Sequence, residues 1–244
     1  MNDLLKEFPA TGKTFTVEGR PAFRIQPDSA APLPWVWYAP VLAHTPGPEM
    51  KWLIEKLLAA GIATAGIDVG ESFGSPAGRK LYSAFHRELV SHHNFSPRPA
   101  LLPRSRGGLM LYNWAIENPA SVACIAGIYP VCDISSYPGI AKACDAYGLT
   151  EAELTAQLAT HNPLNRLESL AKARVPIFHI HGACDTVVPL EKNSGPLAEN
   201  YRRCGGAVTL KIIAGQGHNM WDGWFQSQEL LDFVIARIKG ATAL

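Results

Sequence analysis

Three side chains stand where the sequence pattern suits them to nucleophilic and acid–base chemistry. Ser105 lies in Leu101-Leu102-Pro103-Arg104-Ser105-Arg106-Gly107-Gly108, where an apolar strand runs directly into a helix. Such a turn strains its central residue and leaves that side chain exposed at the sheet edge. It needs small neighbours because the helix passes close to the strand, and Gly107 and Gly108 supply them. A serine opening a helix also serves simply as an N-cap, so this segment alone leaves both readings open. A serine hydroxyl is a poor nucleophile at neutral pH unless a base takes its proton, and a carboxylate best orients that base. Asp185 sits in His181-Gly182-Ala183-Cys184-Asp185-Thr186-Val187-Val188-Pro189 after one apolar run; His218 sits in Gly215-Gln216-Gly217-His218-Asn219-Met220-Trp221 after another. Asp133, which follows Ile128-Tyr129-Pro130, is the rival acid. His181 is the rival base, although its place before a glycine reads as structural.

The elements around these residues must bring them to one edge. From residue 35 onward, short apolar runs alternate with amphipathic stretches. The expected strands are Trp35–Tyr38, Ile62–Ile67, Ala100–Leu102, Val122–Tyr129, Val175–His181 and Ala207–Ile213. The expected helices are Met50–Ala60, Lys80–His92, Gly107–Asn118, Glu191–Cys204 and Glu229–Ile238. Continuously apolar strands are those covered on both faces. Strict alternation with helices predicts an α/β fold: a doubly wound, mainly parallel sheet with right-handed crossovers. Ser105, Asp185 and His218 each fall just past the C-terminal end of such a strand, where ligands bind. Residues 1–34, rich in Pro and Gly, predict an N-terminal hairpin: Lys13 to Glu18, a turn at Gly19-Arg20, and Ala22 to Gln26. Residues 130–174 predict a small helical cap insertion, with a helix over Thr150–Thr160 capped by Thr150 and Glu153. The whole 244-residue chain reads as one domain.

Together, the elbow, the His-Gly-x-x-Asp-x-x-Val-Pro segment and the His218 loop resemble those of the α/β-hydrolase superfamily, in its serine esterases, dienelactone-hydrolase-like enzymes and prolyl-oligopeptidase-like catalytic domains. The resemblance spans roughly residues 33 to 238. It implies the chain order Ser, Asp, His, with Ser105 as nucleophile, Asp185 as acid and His218 as base. It also implies an oxyanion hole made by the backbone amide of Arg106 and a second amide after Trp35–Tyr38. That second donor is Val41, with Leu42 close behind, because Pro40 has no N–H to give. The implied activity is hydrolysis of small or medium carboxylic esters, acylated sugars or aryl esters, with no cofactor and no metal. A prolyl-oligopeptidase-type peptidase is the alternative enzyme, although 244 residues leave no room for the large extra domain such enzymes carry. A non-catalytic binding protein on the same fold is the third reading. Two features depart from the family: Pro103 stands where glycine is usual, and the His-Gly pair common after the first parallel strand is missing.

Other residues near these segments have two readings each. Glu71, in the loop Asp68 to Pro76, either contacts a substrate hydroxyl or is a solvated loop carboxylate. Trp221, like Trp224 and Trp37, offers a face for a sugar or aryl ring or else packs in the core. Arg104 and Arg106 either attract an anionic substrate or anchor the elbow to neighbouring carboxylates. His92-His93 and the His179/His181 pair fall short of the ligands zinc needs. Five cysteines without a C-x-x-C pair read as reduced thiols, with Cys184 a bystander. A net charge of +1 and 18% charged residues give no footprint for nucleic acid. No apolar run is long enough for a membrane span, and no secretion signal is visible at the N-terminus, so the expected location is cytoplasmic.

Overall fold

Strands that are apolar on both faces need a helical layer on each side, and the computed structural model, which describes residues 3–8, 10–29, 32–43 and 45–241, has that arrangement. An N-terminal hairpin of β1 (Gly12–Val17) and β2 (Arg20–Ile25) precedes β3 (Trp35–Ala39), α1 (Lys51–Ala59), β4 (Ala63–Ile67), α2 (Pro76–His92), β5 (Ala100–Pro103), α3 (Gly107–Glu117) and β6 (Cys124–Ile128). Four helices follow: α4 (Ile140–Tyr147), α5 (Glu151–Ala156), α6 (Leu158–His161) and α7 (Glu168–Lys172). The chain closes with β7 (Ile177–Gly182), α8 (Ser194–Arg203), β8 (Val208–Ile213), α9 (Asp222–Phe225) and α10 (Gln228–Ala241). The eight strands form one sheet in the order β1-β2-β4-β3-β5-β6-β7-β8. The six strands from β3 to β8 run parallel, and β2 joins them antiparallel to β4.

Period-two alternation divides the strand side chains between two cores. Trp35, Trp37, Leu101, Ile125 and Ile177 face α2, α3, α7 and α8, where Phe85, Leu111, Leu170 and Leu197 meet them. Val36, Tyr38, Leu102, Ala126 and Phe178 face α1 and α10, against Leu53, Leu57, Leu230 and Val234. A third apolar cluster joins Val131, Ala143, Cys144 and Leu154 of the 130–174 segment to Phe73, Leu109 and Val188. This segment therefore packs on the start of α3 and on the loop after β7. No helix among the described residues is long and apolar enough to cross a membrane.

Several boundaries differ from the expectations. The hairpin turns at Glu18-Gly19, at φ 49° and 72°, because a two-residue turn needs left-handed backbone at both positions. Arg20 opens β2 opposite Val17 instead. Helix α2 starts one turn early at Pro76, where Ser75 accepts the Gly78 amide at 3.3 Å and proline suits the first helical position. The expected Thr150–Thr160 helix is two: Thr150 and Glu153 form the capping box of α5, and the chain breaks at Gln157 (φ −101°, ψ 9°) before α6. The expected Glu191–Cys204 helix starts only at Ser194, after a 3-10 turn at Leu190–Lys192 and a non-helical Asn193. In the N-terminal extension, residues 1, 2, 9, 30 and 31 lie outside the described residues.

The glycines that open α3 are fixed by contact. A Cβ on Gly107 would lie 2.1 Å from the carbonyl oxygen of Ala39, and one on Gly108 would lie 2.1 Å from that of Val131. Both obstacles are backbone, which cannot step aside as a side chain can. Gly108→Ala is expected to lower stability by about 3 kcal/mol. Gly61→Ala, at φ +79° but in open space, should cost only about 1 kcal/mol. Urea unfolding of the two variants checks this difference.

Candidate active site

Strand β5 ends at Pro103, opposite Ala39 of β3. The next ladder bond runs from the Arg104 amide to the Ala39 carbonyl at 2.8 Å. Proline's missing N–H therefore leaves the turn intact. Ser105 follows with φ 49°, a left-handed conformation costly for a residue with a side chain. Its backbone is held from both sides: its amide donates to Ile128 at 3.1 Å, and its carbonyl accepts from Gly108 and Val131. Helix α3 starts two residues later. The amide of Arg106 has no acceptor among the described residues and sits at the helix N-terminus, where partial positive charge collects.

The structure brings Ser105, His218 and Asp185 into one line of hydrogen bonds. Ser105 Oγ is 2.9 Å from His218 Nε2, and His218 Nδ1 is 2.8 Å from Asp185 Oδ2. Asp185 accepts only, so His218 carries hydrogen on Nδ1, and its Nε2 is left to accept from Ser105. The other carboxylate oxygen accepts the amides of Val187 and Val188 at 3.0 and 2.8 Å. Burial acts to raise the Asp185 pKa, but the facing imidazoles of His181 and His218 and the Val188 amide outweigh it and hold the carboxyl below the ordinary carboxylate range. Asp133, the rival acid, is turned away; it accepts from Ser135 and from Asn162 Nδ2 at 3.0 Å.

The loop carrying His218 is braced. Asn219 Oδ1 accepts from the Trp224 indole at 2.9 Å and from the Trp221 amide at 3.2 Å. The Tyr129 ring packs on the imidazole at 4.4 Å between centroids. The acid and base loops also touch, since a Cβ on Gly182 would lie 2.3 Å from the Gln216 carbonyl and the Cys184 amide donates to that carbonyl at 2.8 Å.

A cavity of about 240 Å³ opens over Ser105 and His218, walled by Tyr38, Pro40, Leu42, Thr45, Arg104, Arg106, Tyr129, Asn219 and Met220. Of the two candidate second amides, Leu42 donates to the Thr45 carbonyl at 3.0 Å, whereas Val41 has no acceptor among the described residues. Arg104 makes an ion pair with Glu49 at 2.5 Å, and its Nε donates to the Tyr129 hydroxyl at 3.1 Å. Arg106 pairs with Glu71. Both arginines thus anchor the elbow to carboxylates, and Glu71 is engaged rather than simply solvated. Trp221 is 41% exposed and stacks edge-on against Trp224 at 5.2 Å, outside the cavity wall. Trp37 is core, between Trp35 and Trp114. Tyr38, Glu49, Tyr129 and Met220 were not singled out from sequence. Tyr38 alone carried a signal, as the last aromatic of a strand whose end faces the site.

Breaking the Arg104–Glu49 pair leaves a largely buried guanidinium without its partner. Glu49→Ala should therefore cost about 3 kcal/mol or more, while Glu71→Ala, at a half-exposed pair, costs less than about 1 kcal/mol. Denaturant midpoints compare the two. For Asp185, the folded carboxyl binds a proton less readily than the unfolded one. Its stabilisation is therefore present above the unfolded value of about 3.9 and is lost as pH falls towards the folded value. Stability of Asp185→Asn should accordingly fall less steeply on acidification than that of the parent, as read from urea curves at stepped pH.

No family model matches the sequence, and no curated protein matches it. Solved structures do. An S-formylglutathione hydrolase from Agrobacterium tumefaciens superposes with a TM-score of 0.73 at 17% identity, over 93% of this chain and 94% of that one. A puromycin hydrolase gives 0.72 at 19% identity over 93% of this chain, and a putative dipeptidyl aminopeptidase IV from Bacteroides ovatus gives 0.73 at 16% identity over 94%. The chain spans only 39% and 35% of the length of those two proteins. Identities this low speak for shared architecture alone.

Proposed function

We propose that this chain, which has the α/β-hydrolase fold, is a serine hydrolase that cleaves carboxylic esters of small or medium size through an acyl-enzyme. The carrying observation is the unbroken line from Ser105 Oγ through His218 to Asp185, at 2.9 and 2.8 Å. Ser105 attacks the ester carbonyl as His218 Nε2 takes its proton. Asp185 holds the imidazole in the productive tautomer and stabilises the imidazolium. The amides of Arg106 and Val41 receive the oxyanion; each such donor is worth about 3 kcal/mol of barrier. His218 then protonates the departing alcohol. A water deprotonated by the same nitrogen attacks the acyl-serine, the acid leaves, and His218 returns the proton to Ser105 Oγ. Neither half-reaction calls on a cofactor or a metal ion.

The cavity supports a small substrate. Its walls mix the hydroxyls of Tyr38, Thr45 and Tyr129 with Leu42 and Met220, which suits an acylated sugar or an aryl ester. Trp221, one residue past Met220, offers an exposed indole to any part of the substrate reaching outward. Through its pair with Arg106, Glu71 fixes the residue whose amide faces the oxyanion. The 130–174 segment, packed on the start of α3, is the cap over this end of the sheet. The likeness in fold to a dipeptidyl aminopeptidase favours peptide-bond cleavage as a second reading.

A panel of p-nitrophenyl esters and aminoacyl-arylamides decides between them. Short-chain esters are expected to turn over, and Ser105→Ala to lower kcat by about 10⁴-fold or more. A fluorophosphonate probe is expected to label Ser105. Preferential arylamide turnover transfers the assignment to a peptidase, and an unlabelled, inactive Ser105 points to a binding protein.

A further inference from the structure

We infer that His181 is a positioning residue for Asp185: a buried, one-directional chain of hydrogen bonds holds it as the Nε2–H tautomer, which turns that N–H edge of the ring toward the carboxylate oxygen used by His218, 3.4 Å away. The inference rests on the reading of Ser105, His218 and Asp185 as the reacting set. His179 and His181 lie two residues apart on β7, on one face, and both are fully buried. Ser194 opens α8 with its hydroxyl between them, 2.9 Å from His179 Nδ1 and 2.8 Å from His181 Nδ1. A hydroxyl has one hydrogen, so it donates to one imidazole and accepts from the other.

For a neutral His181, the Val188 carbonyl decides the direction. It lies 2.8 Å from His181 Nε2 and only accepts, so Nε2 carries a hydrogen. Burial pushes His179 down to about 3, so that ring is neutral. The consistent arrangement runs one way. Tyr112 donates to His179 Nε2 at 2.6 Å, His179 Nδ1 donates to Ser194, and Ser194 donates to His181 Nδ1. The chain ends at His181 Nε2–H, which donates to the Val188 carbonyl at 2.8 Å and presents its positive edge to Asp185 Oδ2 at 3.4 Å. With the opposite polarity, a lone pair on His181 would face both the carbonyl and Oδ2. That repulsion would tip the carboxylate away from His218. The titratable groups facing Asp185 are His181, His218 and Tyr129; those facing His218 are Asp185 and Tyr129.

Long-range proton–nitrogen correlation on the full chain labelled with ¹⁵N-histidine tests this directly. The expected result is His181 with Nε2 protonated and Nδ1 bare at neutral pH; the Nδ1–H tautomer or an imidazolium overturns the inference. Kinetics with p-nitrophenyl acetate supply the second readout. His181→Leu removes the hydrogen, whereas His181→Gln keeps an N–H on a side chain of similar reach. The Leu variant is expected to lower kcat about 10-fold or more and to leave KM within about twofold. It should also move the acid limb of kcat/KM to higher pH, because a carboxylate that no longer faces this N–H holds the imidazolium more tightly. The Gln variant is expected to restore the limb. A Leu variant with the parent's kcat and limb, or a Gln variant as impaired as Leu, overturns the inference. The tautomer measurement needs no variant, so it decides even if His181→Leu does not fold. Failure of the underlying site reading shows separately, as a parent protein that neither turns over esters nor takes the fluorophosphonate.

Discussion

The close passage of α3 over the ends of β3 and β6 is the constraint from which the site follows. With the Ala39 and Val131 carbonyls 2.1 Å from where Cβ atoms would lie on Gly107 and Gly108, the helix can start nowhere but directly behind Ser105. The serine then has to take a left-handed backbone to make the corner, at φ 49°. Four backbone bonds, from Arg104, Ser105, Gly108 and Val131, hold that strained corner in place. Folding thus stabilises a conformation the serine would avoid in isolation. The same corner leaves the Arg106 amide without an acceptor among the described residues, next to the hydroxyl.

Charge around Ser105 is balanced locally. The arginine on each side of Ser105 has its own carboxylate, Glu49 for Arg104 and Glu71 for Arg106. The two pairs differ in setting. Arg104 and Glu49 are largely buried, with the guanidinium stacked over Phe225 at 4.9 Å and bonded to Tyr129. Burial pushes the nearby Tyr38 phenol up to about 12, so it lines the cavity as a neutral hydroxyl. The cavity therefore presents hydrogen-bonding groups with little net field and is indifferent to long-range steering.

Much of this was legible in the chain because the relevant signals are local. The alternation of apolar runs and amphipathic helices carried the parallel sheet, and Gly107-Gly108 carried the elbow. Asp185 and His218 were readable because each follows an apolar strand within a few residues. What stayed hidden depended on partners distant in sequence. Glu49 meets Arg104 across 55 positions, and nothing in Gly47-Pro48-Glu49-Met50 marks it. Helix ends fared worst where polar residues masked a start, as at Pro76, or where a single residue interrupts a good pattern, as Gln157 does between α5 and α6. The hairpin turn slipped by one residue because Glu18 accepts a left-handed backbone that composition assigns more readily to glycine and its neighbour.

The contact between Gly182 and the Gln216 carbonyl has a consequence for motion. It rivets the strand end that leads to Asp185 onto the peptide just ahead of His218, so neither loop has slack of its own. A push on one is delivered to the other as a common displacement, and the spacing between imidazole and carboxylate is preserved. Any breathing of this region then shows up as the pair approaching or leaving the serine together, with proton-transfer geometry inside the pair unaltered.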